Sequence, residues 1–200
     1  TQQTACAKGS YTDAYGQGAC TPCAGGTYQD EEGKTACEPC EAGSYCAIGA
    51  AAPLPCEAGT YSDATDLSAA SQCTDASPGY FATTGSTEQT ACAKGSYTNE
   101  TRQGECTACS AGTYQDAEAQ TACKPCEAGG YCAVGAAAAL PCEAGSYSRA
   151  TNLSAASECT DASPGHFATT GSTQQTACSK GSYTDAYGQG ACTPCAGGTY

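Results

Sequence analysis

Eight cysteines recur with unchanged spacing at a period of 86 residues, which limits the chain to folds assembled from small, locally closed units. They stand at 6, 20, 23, 37, 40, 46, 56 and 73 and again at 92, 106, 109, 123, 126, 132, 142 and 159; a third copy begins with Cys178, Cys192 and Cys195. Residues 1–86 align with 87–172 without a gap and differ at 21 positions, among them Asp13/Asn99, Tyr15/Thr101, Glu38/Lys124, Asp63/Arg149 and Tyr80/His166. Residues 173–200 match 1–28 at all positions except Ser179 for Ala7, so the full period is 172 if the two copies alternate. The expected units are 1–86, 87–172 and 173–200, the last a truncated third copy.

Inside each copy runs a shorter beat. Cys6, Cys23, Cys40 and Cys56 each open a Cys-x-x-Gly-[Ser/Thr]-Tyr unit, and Cys73 opens a variant that runs through Ser77-Pro78-Gly79-Tyr80-Phe81. A glycine three residues after cysteine suits a tight turn with positive φ, and the tyrosine that follows can lay its ring over the staple while its hydroxyl stays wet. Gly-rich turns between short Thr- and Tyr-containing runs predict small β-hairpins. The Ala-rich segments 49–55 and 135–141 could form one turn of helix in the second copy, while Pro53 disfavours it in the first.

Nineteen cysteines in 200 residues stand against eight large aliphatic or Phe side chains: Ile48, Leu54, Leu67, Phe81, Val134, Leu140, Leu153 and Phe167. No sizeable core can be built from these, so covalent closure must supply what burial does not; a disulfide that closes a loop of about 15 residues contributes roughly 3 kcal/mol in the chain-entropy model. The expected fold is therefore small and disulfide-rich, an elongated tandem-repeat rod of short β-hairpins and turns with little helix and no large hydrophobic core. Five loops of about one 10 Å layer each would make an 86-residue unit about 50 Å long.

The formal charge of −13 argues against nucleic acid and anionic membrane partners, which attract Lys and Arg. No apolar run approaches the length of a membrane span, and no charged-then-apolar leader stands at Thr1. The chain begins and ends inside a motif and is read as a window from a longer secreted protein whose targeting signals lie outside it.

The pattern carried by Cys6-Ala7-Lys8-Gly9-Ser10-Tyr11, by 23–28, 40–45 and 56–61, and by their copies resembles the ephrin-receptor-like cysteine-rich repeat and, more distantly, the single-disulfide modules of tumour-necrosis-factor receptors. In those modules the opening cysteine joins the next one downstream, which implies Cys6–Cys20, Cys23–Cys37 and Cys56–Cys73 and leaves Cys40–Cys46 as a short loop. Carried along the array, the same rule implies Cys92–Cys106, Cys109–Cys123, Cys126–Cys132, Cys142–Cys159 and Cys178–Cys192. Cys195 is left over, with its partner expected about 14 residues further on. Cys46 and the long 56–73 loop depart from the family pattern, so pairing among Cys40, Cys46, Cys56 and Cys73 rests on sequence order alone.

Two other chemistries use the same residues. Cys20-x2-Cys23-x13-Cys37-x2-Cys40 approaches a four-cysteine zinc ribbon, but zinc would leave four cysteines of each copy without a role, and its loop obeys the same Gly-[Ser/Thr]-Tyr rule as the units without Cys-x-x-Cys. A redox Cys-x-x-Cys needs a helix N-terminus, and neither Thr21-Pro22 nor Glu38-Pro39 lies in a helical pattern. No cofactor is expected. Catalysis has little support: the lone histidine, His166, is Tyr80 in the first copy, and Asp30-Glu31-Glu32 becomes Asp116-Ala117-Glu118. Asn99-Glu100-Thr101 and Asn152-Leu153-Ser154 are N-glycan acceptor sequons where the first copy has Asp13 and Asp66, and 83–87 and 169–173 are Thr/Ser clusters suited to O-glycans or to a flexible joint.

These features lead to a secreted or cell-surface structural protein, not an enzyme, that self-associates into a filament, stalk or surface coat and carries covalent glycans. The alternative is a receptor or adhesin ectodomain that grips a protein or glycan. Near-identical copies favour the first.

Overall fold

A computed structural model describes residues 5–13 and 18–197. Over these residues the chain is a succession of eleven two-stranded antiparallel hairpins whose strands are each two residues long. Helix is confined to two single 3-10 turns, Ala70–Gln72 and Ala156–Glu158. The chain forms two compact units, residues 1–92 with 98–106, and 93–97 with 107–200.

In the first unit, Ser10–Tyr11 pairs with Thr21–Pro22, Thr27–Tyr28 with Glu38–Pro39, Ser44–Tyr45 with Leu54–Pro55, Thr60–Tyr61 with Thr74–Asp75, and Tyr80–Phe81 with Thr90–Ala91; these are hairpins one to five. Strands this short make little ladder of their own. Proline ends three of the return strands, which costs nothing where the missing donor faces no third strand.

One register governs every hairpin. In hairpin one Ser10 faces Pro22, with Cys6 four residues before the first and Cys20 two before the second. The same count gives Cys23 and Cys37 about Thr27/Pro39, and Cys56 and Cys73 about Thr60/Asp75. In hairpin three it falls on Cys40 and Pro53, and Cys40 instead bonds Cys46. In hairpin five it falls on Ala76 and Gln89. The variant unit therefore opens at Ala76, not at Cys73 as the sequence reading placed it: Cys73 closes hairpin four, and the inserted 3-10 turn lengthens that loop and displaces the beat.

The second unit repeats the scheme. Thr113–Tyr114 pairs with Lys124–Pro125, Gly130–Tyr131 with Leu140–Pro141, Ser146–Tyr147 with Thr160–Asp161, His166–Phe167 with Thr176–Ala177, and Ser182–Tyr183 with Thr193–Pro194. Between the first five hairpins and these lies the pairing of Ser96–Tyr97 with Thr107–Ala108, stapled by Cys92–Cys106. Ala162 and Gln175 stand where Ala76 and Gln89 stand in the first copy.

The core consists of staples and small side chains. The opening cysteines from Cys6 to Cys142 are at most 2 % exposed, and Ala76, Ala82, Ala162 and Ala168 are equally buried. Six residues after each opener from Cys23 to Cys92 lies another buried position, held by Gln29, Cys46, Ser62, Ala82 and Thr98 in turn, while Thr12, six after Cys6, is half-buried. Gln29 is satisfied there: its amide donates to Ala36 O at 2.8 Å and its oxygen accepts the Glu31 N–H at 3.0 Å, an arrangement that Gln115 repeats with Ala122 and Ala117. Large apolar residues take little part, and Ile48 and Val134 are 77 % and 70 % exposed.

The Ala-rich segments form no helical turn in either copy. Ala50 is bridged to Tyr28 and Ala136 to Tyr114, and the chain then runs directly into Leu54–Pro55 and Leu140–Pro141, so the backbone of these segments is already committed to extended pairing.

Candidate functional site

The feature that recurs in each unit is a main-chain joint between successive hairpins. The turn glycine donates to a carbonyl of the next hairpin: Gly9 N–H to Gln29 O, Gly26 to Cys46 O, Gly43 to Ser62 O, Gly59 to Ala82 O and Gly79 to Thr98 O, all at 2.7 to 2.9 Å. Its own carbonyl accepts the N–H of the following opener, as with Cys23 N–H to Gly9 O and Ala76 N–H to Gly59 O. Further along, a residue in the left-handed region donates back to an opener's carbonyl: Gly49 to Cys23 O, Asp66 to Cys40 O, Gly85 to Cys56 O, Arg102 to Ala76 O.

The turn glycine is required by more than its φ. A Cβ on Gly26, whose φ is +90°, would overlap Asp66 O, and one on Gly59 would overlap Arg102 O. The joint is thus a close approach of two backbones in which the donors and acceptors of turns too short to satisfy themselves find partners one hairpin away.

Nine staples hold the hairpins: Cys6–Cys20, Cys23–Cys37, Cys40–Cys46, Cys56–Cys73, Cys92–Cys106, Cys109–Cys123, Cys126–Cys132, Cys142–Cys159 and Cys178–Cys192. Their Cα separations lie between 5.6 and 6.0 Å, inside the range a disulfide spans without backbone movement. Cys20 and Cys23 belong to different staples, as do Cys37 and Cys40, so no Cys-x-x-Cys offers both sulfurs to one ion or one redox cycle. Cys195 has no bridge among the described residues, and residues 198–200, which complete its Cys-x-x-Gly-Thr-Tyr motif, lie outside them; so does Tyr15.

Both sequon asparagines are exposed. Asn99 lies with Glu100 and Thr101 in the exposed loop after Ser96–Tyr97. Asn152 occupies a joint, with φ +62° and its N–H donating to Cys126 O, while the Ser154 hydroxyl donates to Glu158. Asp66 plays the same backbone part in the first copy, so aspartate and asparagine share the one conformation that both tolerate better than other side chains.

Charges differ between copies by relocation. Glu31 pairs with Lys34 in the first; in the second, where these are Ala117 and Gln120, the cation stands at Lys124 and pairs with Asp116. Each partner favours the other's charged form, holding Glu31 and Asp116 below and Lys34 and Lys124 above their ordinary values. Tyr28, opposite Glu38, has its phenol pushed up by burial and by that carboxylate, to which its hydroxyl donates at 3.3 Å. Arg102 reaches Glu57 at 3.3 Å. Beside this pair an open cleft of about 530 Å³, lined by Thr60, Ser71, Cys73, Asp75 and Arg102, lies over the Cys56–Cys73 staple; a smaller one of about 340 Å³, lined by Glu143, Ser157 and Asp161 among others, lies over Cys142–Cys159. His166 sits half-buried in its strand, its Nδ1 3.4 Å from Pro164 O. Among the described residues no helix is long and apolar enough to cross a membrane.

Two-residue hairpins, one staple or less per hairpin and main-chain joints define a disulfide-rich tandem-repeat protein of the extracellular, ectodomain type. Two stretches, 9–53 and 95–139, match the family described as tyrosine-protein kinase ephrin type A/B receptor-like, and over these stretches the chain carries ephrin-receptor-like cysteine-rich repeats. The stretches are offset by 86 residues, the period of the cysteines. No curated protein matches the chain at a significant level.

Proposed function

We propose that the chain is a stretch of a secreted structural protein that builds an extracellular filament, stalk or surface coat, with 1–86, 87–172 and 173–200 as successive interchangeable copies. The observation that supports this most is that the join between copies uses the same bonds as the joints within them: Gly79 N–H donates to Thr98 O where the first copy meets the second, and Gly165 N–H to Thr184 O where the second meets the third, both at 2.9 Å. Such a chain can be extended by whole copies without a new kind of contact, as a repeating material requires. Near-identical copies present the same faces again and again, which suits self-association. N-glycans at Asn99 and Asn152 would project from exposed side chains and decorate the second copy only.

The receptor-like description of the matching family supports a second reading, a receptor or adhesin ectodomain that holds a protein or glycan ligand. Electron imaging of native material separates the two. Filaments or coats with an axial repeat of one or two copies uphold the structural role; single chains held in complex with a foreign protein or glycan, with no such repeat, replace it with the receptor role.

A further inference from the structure

Hairpins five and ten are the only ones among the described residues that hold no staple at all; in hairpins three and eight the Cys40–Cys46 and Cys126–Cys132 bridges close the first strand alone and leave 47–55 and 133–141 outside them. In hairpin five the register puts Ala76 and Gln89 where hairpin one has Cys6 and Cys20. A clamp of hydrogen bonds takes the place of the bridge: Gln89 Oε1 accepts the Ser77 N–H at 2.8 Å, and in hairpin ten Gln175 Oε1 accepts the Ser163 N–H at 2.8 Å and the Ser163 hydroxyl at 2.9 Å. The buried side chains there are Ala76 and Ala82, the smallest that can fill the space, so hairpin five has less to lose on opening than any stapled neighbour. The free stretch, Thr74 to Ala91, is 18 residues long; the next longest in the copy, 47–55, is nine, and Thr21–Pro22 and Glu38–Pro39 are the two-residue gaps between staples.

We propose that hairpin five, and hairpin ten after it, is the extensible element of the array: under tension it opens while the stapled hairpins on either side hold, and it recloses onto them when tension falls. A stapled hairpin cannot lengthen between its cysteines however far its hydrogen bonds fail, whereas an opened stretch of 18 residues reaches about 60 Å of contour. Reclosure is assisted because the ends stay attached to intact hairpins, with Gly59 O and Thr98 O in place to receive the Ala76 and Gly79 N–H groups, so only a short loop has to be closed. The use of this element rests on the structural reading above; its existence does not.

Single-molecule stretching of the oxidised full chain tests it. Two increments of about 60 Å are expected, one from each free stretch, with shorter ones of about 30 Å from 47–55 and 133–141. The double variant Ala76→Cys/Gln89→Cys, with the new bridge confirmed by peptide mapping, should lose one 60 Å increment and keep the other, that of residues 160–177. Gln89→Ala, which adds no cysteine and cannot disturb pairing, should keep both increments but shorten the lifetime of one at fixed force by roughly threefold, the loss expected for one well-made hydrogen bond at an exposed site. The proposal fails if the oxidised chain lacks the 60 Å increments, if the bridged variant retains both, if the new cysteines do not bridge, or if Gln89→Ala opens as slowly as the native chain. A failed search for native filaments leaves all four readouts untouched, so the two readings fall separately.

Discussion

Gly26 shows how much of this structure rests on one missing atom. Its φ of +90° excludes most side chains, and a Cβ would be driven into a carbonyl of hairpin four that cannot retreat without breaking Asp66 N–H to Cys40 O. Gly26→Ala should therefore cost about 2–4 kcal/mol, strain and overlap combined, whereas Gly18→Ala, with no atom within 4 Å, should be close to neutral. Denaturant unfolding of the two oxidised variants measures the difference. A second residue-scale contrast lies at the 3-10 turns. Gln72 Oε1 accepts the N–H groups of Ser68 and Ala69 in the first copy, and a Glu158 carboxylate oxygen accepts those of Ser154 and Ala155 in the second. These donors, the Ser154 N–H first, hold the Glu158 carboxyl below its usual value. A carboxylate with a lowered folded pKa stabilises above its unfolded value and loses that contribution as pH falls through the folded one. Amide exchange should accordingly quicken at 154–158 below about pH 4 and stay unchanged at 68–72, where an amide does the same work without titrating.

At the scale of the hairpin, covalent closure replaces the ladder. Two-residue strands give too few hydrogen bonds to persist alone, and a staple over 14 residues supplies about 3 kcal/mol where the six-residue Cys40–Cys46 loop supplies nearer 2. Non-reducing peptide mapping should recover the nine bridges as sequence neighbours; a Cys20–Cys23 link would overturn the register that organises every hairpin. The hairpins themselves were legible in the sequence, because Gly three residues after Cys and Tyr two after that specify a turn and the strand leaving it. Two things were not. The fifth hairpin was assigned to Cys73 because cysteine was taken as the marker of every opening, when the marker is the residue four before the first strand, and alanine serves where no bridge is made. The joints were missed altogether: they run between backbone groups 14 to 29 residues apart, involve left-handed residues as different as Gly49, Asp66 and Arg102, and leave no side-chain signature. The position six after each opener did carry a signal, Gln29 repeated as Gln115, that patterning by cysteine passed over.

For the whole molecule, the absence of a large apolar core has a thermal consequence. The heat-capacity change of unfolding follows the apolar surface exposed, and among the described residues the buried groups are cystines, alanines, satisfied polar side chains and a single large aliphatic, Leu67. Calorimetry of the oxidised chain should give less than half of the roughly 12–15 cal/mol/K per residue of ordinary domains, and a correspondingly flat stability curve. A value in the ordinary range would mean that apolar burial, not covalent closure and main-chain bonding, holds the repeats.

The joint between hairpins has a consequence for heredity. Because it is written in peptide groups, almost any exposed side chain can drift without touching it: the bonds of Gly49, Asp66 and Gly85 to their openers recur at Gly135, Asn152 and Gly171, although Gly33 N–H to Cys6 O has no counterpart at Ala119. Because it is the same at the copy boundary as elsewhere, slippage during replication that adds or removes a whole copy yields a chain with no foreign seam. Alleles that differ in copy number should all fold, and the length of the finished product becomes a trait that mutation can adjust in whole steps.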